Sequence, residues 1–133
     1  NAHIRTALGN LLFKKAEHAN DVSQAESLRD EANQIMTTLH FEIGTDSCYV
    51  YNIYCLGNYK YIRKWVTDNS KRKEQYLNLL RVGRSGMVNH PRNRMLEDIV
   101  GTIERAYLQL GLFKDSEDPV MPDEISTDGI FGE

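Results

Sequence analysis

The residues best suited to chemistry in this 133-residue chain are four histidines, two cysteines and a dense run of arginines and lysines. His3, His18, His40 and His90 show no i, i+4 pairing, and no CxxC accompanies them. A carboxylate-bridged iron site in a helical bundle needs a Glu-x-x-His pair from each of two helices. Here Glu17 stands directly beside His18, so the two would point to different faces. No metal site and no cofactor is expected from this set. Cys48 and Cys55 would each need a neighbouring histidine to act as a thiolate nucleophile. On a helix, seven residues separate them by about 10.5 Å, beyond the roughly 7 Å that a disulfide spans. Both are expected to be buried thiols in a reducing, cytoplasmic setting. No G-x-S-x-G elbow, P-loop or dinucleotide-binding glycine pattern is present, and no catalytic residue is assigned from the residues alone.

The charge distribution carries more information. The net charge of −3 conceals a basic segment, 60–94, with ten Lys and Arg against Asp68 and Glu74. It also conceals an acidic one, 114–133, with seven acids against Lys114. Lys60, Arg63, Lys64, Lys71, Arg72 and Lys73 surround an expected turn, so several should cluster in space. Arg92 and Arg94 sit at an expected helix start, where the macrodipole favours anions. Such a start can offer backbone N–H groups and arginines jointly to a phosphate. Tyr59, Tyr61 and Trp65 are placed to stack on bases beside that charge.

Within the basic segment, Arg84 is followed after five residues by His90. In an all-helical chain this pair resembles the bare motif of the HEPN ribonuclease family. The resemblance implies RNA cleavage, with His90 in acid/base work and Arg84 stabilising phosphate charge. It covers this spacing and the helical class, and Gly86 and Pro91 depart from a regular helical presentation of the pair.

Periodicity defines the elements that must position these groups. Ile4, Leu8, Leu11, Leu12 and Ala16 give a helix over 3–19. Asp21 can cap a second, along which Ala25, Leu28, Ala32, Ile35 and Leu39 form a stripe, with Gly44 as its stop. The stretch from Asp46 to Asn69 holds five of the seven tyrosines, both cysteines and the only tryptophan. It alternates as a strand might, but its apolar pattern runs too long for one. It therefore reads as a helix capped by Thr45 or Asp46, with Gly57 as a tolerated weak point or a close-contact site. A short fourth helix over 71–82 gives way to an irregular loop, 83–93. Pro91 at the first position, after Asn89 or His90 as cap, then opens a fifth helix that Gly111 ends.

The expected fold is therefore all-α: a single-domain antiparallel bundle over 1–113, with four main helices and a short one, followed by an extended acidic arm, 114–133. Its composition, 41% apolar and 26% charged, suits a globular domain, and no run is long enough to span a membrane. The expected function is non-enzymatic. Arg63, Lys64, Lys71, Arg72, Lys73, Arg84, Arg92 and Arg94 would contact nucleic acid or an acidic protein partner, with the acidic arm as mask or docking element. Two alternatives are the HEPN-like ribonuclease and a homo-oligomeric structural protein held together by its arm.

Overall fold

The computed structural model of the chain describes residues 2–43 and 47–110. Among them are five helices: α1 (Ala2–Glu17), α2 (Val22–Ile43), α3 (Cys48–Trp65), α4 (Asn69–Asn89) and α5 (Arg94–Gln109). No described helix is long and apolar enough to cross a membrane. The expected stops at Gly44 and Gly111, the caps at Thr45 or Asp46, and the acidic arm 114–133 lie outside the described residues.

Side-chain contacts join helices that are neighbours in the chain. Arg5 pairs with Glu42 across α1 and α2, Asn33 with Asn58 across α2 and α3, and Arg84 with Glu104 across α4 and α5. The helices form two groups of three, α1–α2–α3 and α3–α4–α5, which share α3, while α1 and α2 scarcely touch α4 and α5. The sequence led to the expectation of four main helices and a short one; the described residues form five helices that meet on α3. A helix packed on four neighbours has almost no solvent face, which explains why α3 is apolar or aromatic on nearly every side. Val50, Tyr51, Ile53, Cys55, Leu56, Tyr59, Tyr61 and Ile62 are all buried.

Glycines set the closest approaches. A Cβ on Gly57 would lie 2.3 Å from the Phe13 ring of α1, and one on Gly9 would lie 2.2 Å from the Met36 methyl of α2. The second contact explains why α1 turns a different face inward from the one its aliphatic stripe suggests. Gly9, Leu12, Phe13 and Ala16 are buried, whereas Ile4, Leu8 and Leu11 remain 66%, 46% and 47% exposed. Small residues allow α1 to approach α2 more closely than a leucine ridge would.

The same device corrects the expected loop over 83–93. α4 is not short: it runs 21 residues, straight through Gly83 and Gly86. Each glycine weakens an isolated helix by roughly 1 kcal/mol, but each receives a neighbour. A Cβ on Gly83 would be 2.6 Å from Val100, and one on Gly86 would be 2.6 Å from Tyr51 and 2.8 Å from Leu96. The turn is confined to residues 90–93, and Pro91 lies within it rather than at a helix start. Asn93 is the cap of α5, its side chain accepting from Leu96 N–H at 3.2 Å. Its amide also donates to Asn52 Oδ1 at 2.9 Å, which ties the turn to α3.

These contacts make two glycines behave oppositely. Gly57→Ala, forced against Phe13, should destabilise the fold by about 1–3 kcal/mol. Gly101 lies inside α5, and a Cβ there meets nothing nearer than Arg105 at 3.8 Å. Gly101→Ala should therefore stabilise by about 0.5–1 kcal/mol. Urea unfolding of the two variants against the parent measures both.

Candidate anion-binding surface

Asp68 caps α4 by accepting from Lys71 N–H at 3.0 Å, which fixes the start of α4 just after α3 ends. The last turns of α3 (Lys60, Arg63, Lys64) and the first turn of α4 (Lys71, Lys73) therefore meet at one end of the molecule. Steps of about 100° per residue bring Lys73, Arg81 and Arg84 within roughly 80° of one another on α4, and all three are exposed. From Lys71 to Asn89 the helix rises about 27 Å, and Arg92 and Arg94 follow at its far end, both exposed. The basic segment is thus not one compact patch. It is a lysine-rich end, a ridge along α4 and an arginine pair at the opposite end.

Arg72 does not belong to that surface. It is fully buried, with 0% of its area exposed, and its guanidinium donates to the Arg63 carbonyl at 3.0 Å. That carbonyl lies in the last turn of α3, where backbone acceptors have no intrahelical partner and a cation is favoured. Arg72 holds the end of α3 to the start of α4 and is unavailable to a partner. Lys64 is also partly engaged. Its ammonium donates to the Glu17 carbonyl at the end of α1 and sits 5.1 Å from the Trp65 ring centroid. Arg63 is half-buried. Lys71, Lys73, Arg92 and Arg94 have no carboxylate within ion-pair distance among the described residues.

The expected stacking platform is not formed either. Tyr59 and Tyr61 are buried, and Tyr59 stacks on Tyr76 with ring centroids 5.5 Å apart. Trp65 is half-buried and donates from its indole to the Ala16 carbonyl at 3.0 Å. Tyr59 and Trp65 thus face α4 and α1, and the Arg29 guanidinium of α2 lies 4.2 Å from the Tyr61 ring centroid. None of the three is left fully exposed to stack on a base.

At the far end, Cys48, Asn89, His90, Arg92, Asn93 and Arg94 line an open cavity of about 550 Å³. It lies where the first residues of α3 and α5 meet the C-terminal turn of α4. His90 caps α4, its ring packs edge-on against Tyr51, and its Nε2 is buried without a hydrogen-bond partner. Arg84 does not line this cavity; it pairs with Glu104 of α5 at 2.8 Å. The two residues of the ribonuclease-like motif thus belong to different surroundings. A second concavity runs between α2 and α4 with α3 as its floor. It has an apolar half beside Phe41 and Tyr54 and a polar half beside Asn33, Asn58 and Asn78. Nothing in the sequence marked this groove, because its walls come from separate helices.

Among the described residues no three His, Cys, Asp or Glu gather as a metal ion would require. The cysteines differ: Cys55 is buried, whereas Cys48 is only half-buried and lines the arginine cavity. Burial pushes the Cys55 thiol up from 9.0 to about 12. It also raises the Tyr54 and Tyr61 hydroxyls, against the opposing pull of Arg29.

Two outcomes follow for the structural members of this region. Arg72→Ala should lower stability by about 2–4 kcal/mol, since it removes a buried charged donor and leaves a void. Urea unfolding measures this. For Cys55 the folded thiol keeps its proton where the unfolded one loses it. Its contribution is therefore intact below about pH 9 and is lost as the pH climbs towards about 12. Stability measured across that window should fall less steeply in Cys55→Ala than in the parent. No family model, curated protein or solved structure matches this chain, so its surface is read from its own chemistry.

Proposed function

We propose that the protein is a non-enzymatic binding and assembly module that engages the phosphate backbone of nucleic acid along α4. The contacts would run from Lys71 and Lys73, past Arg84, to Arg92 and Arg94. The observation that carries this reading is the ridge of exposed Lys73, Arg81 and Arg84 on α4, with further exposed cations at both ends of that helix; from Lys71 to Asn89 it rises about 27 Å, the length of roughly eight base pairs at 3.4 Å each. A compact acidic protein surface would be better matched by a compact patch. With Tyr59 and Tyr61 in the core, the contacts available are electrostatic, so binding is expected to be insensitive to base sequence. The acids of α5 temper the ridge: Glu104 already holds Arg84, and Glu97 and Asp98 are exposed beside its far end.

The ribonuclease reading has weaker support. Its arginine is engaged with Glu104, and its histidine lies in a cavity that the arginine does not line.

Fluorescent duplex DNA and RNA titrated across a salt series test the proposal. Affinity should fall steeply with salt, by a log–log slope that reflects the number of phosphates contacted. Replacing Lys71 and Lys73 together with glutamine should shallow that slope by about 2, as should replacing Arg92 and Arg94. Absence of binding even at low salt would remove nucleic acid as the partner and leave an acidic protein surface.

A further inference from the structure

We infer that the lysine-rich end, formed by the last turns of α3 and the first turn of α4, is the docking surface for this chain's own acidic segment, residues 114–133. Three observations lead there. The first is where α5 ends. The Lys73 ammonium lies 5.9 Å from the Tyr107 ring centroid, and Leu110 N–H closes the helix on the Tyr107 carbonyl at 3.4 Å. The chain therefore leaves α5 within about one turn of Lys73, at the same end as Lys60, Arg63, Lys64 and Lys71.

The second is charge. Lys60, Lys71 and Lys73 have no carboxylate within ion-pair distance among the described residues. Of the acids on these elements, Asp68 and Glu74 are both exposed, and Asp68 is engaged as the cap of α4. The sequence after Leu110 brings Asp115, Glu117, Asp118, Asp123, Glu124, Asp128 and Glu133 against the single Lys114.

The third is reach and anchoring. Residues 111–133 can extend about 75 Å at roughly 3.3 Å per residue, far more than the distance needed. Tethering gives the segment a local concentration in the millimolar range, so contacts too weak to hold a free peptide suffice here. Exposed charge pairs alone contribute little. Leu108, 67% exposed in the last turn of α5, offers an apolar surface to Val120, Met121 or Ile125 of the segment.

The consequence for function rests on the nucleic-acid reading above. A segment docked on Lys71 and Lys73 occupies one end of the proposed phosphate track and competes with the polyanion for it.

The test uses the full chain and a variant in which Asp115, Glu117, Asp118, Asp123 and Glu124 are replaced by their amides, with helicity checked by circular dichroism. Carbodiimide coupling at low salt, followed by peptide mapping, should join carboxylates of 114–124 to Lys60, Lys71 or Lys73 within one molecule. Raising salt to about 0.5 M should abolish the coupling. Coupling spread evenly over all lysines, or found only between two copies, overturns the inference. Duplex DNA binding is the separate arm, in which the amide variant should bind about five- to tenfold tighter than the parent. Equal affinity, with binding intact, counts against competition while the nucleic-acid reading stands. If neither form binds DNA, that reading fails, and docking is decided by the coupling map alone.

Discussion

A single helix that must pack on four others at once governs this structure. α3 belongs to both three-helix groups, so each of its faces is also an interface, and a polar side chain there must find its partner within the protein. Asn58 answers by exchanging amide hydrogen bonds with Asn33 and donating to the Tyr54 carbonyl. Asn52 accepts from Asn93 in the turn before α5. Large apolar side chains fill the remaining directions, and burial of each contributes about 1.5–3 kcal/mol. Where even a methyl group would be too much, Gly57 admits the Phe13 ring. The concentration of Tyr51, Tyr59, Tyr61 and Cys55 in this stretch thus follows from packing.

Much of the architecture was legible in the sequence. The stripe of Ala25, Ala32 and Leu39 is fully buried in α2, and the broad apolar face of α5 is buried through Leu96, Ile99, Ile103 and Ala106. What escaped notice has a common cause. Apolar spacing records which face of a helix is greasy, not which partner is close enough to need it. In α1 that difference turned Leu8 and Leu11 outward and Gly9 inward. In α4 it carried a helix through Gly83 and Gly86, which read as loop residues until Val100, Tyr51 and Leu96 are seen pressed against them.

The candidate surface was legible as a charge excess but not as a shape. Ten cations in one stretch of chain predict a positive region; only the fold divides them by task. Arg72 disappears between α3 and α4, Lys64 reaches back to α1, and Arg84 is held by α5. One cue for Arg72 was available beforehand. A cation in the first turn of a helix, where the macrodipole disfavours it, is well placed to serve the C-terminal carbonyls of the helix that precedes it. The side chains left to the solvent stand at the two ends of α4, with Arg81 between them.

The sharing of α3 also bears on the order in which the molecule can be assembled during synthesis. The α1–α2 hairpin is synthesised before α3, carrying Leu12, Phe13, Met36 and Leu39 with only one of the two neighbours that bury them. It cannot close its core until α3 arrives. α3 in turn emerges with its second face bare and must wait for α4 and α5. Folding from the N-terminus is thus a relay in which each completed group exposes the template for the next. Among the described helices α5 comes last, and Glu97, Asp98, Glu104 and Arg105 on its outward side are exposed and polar.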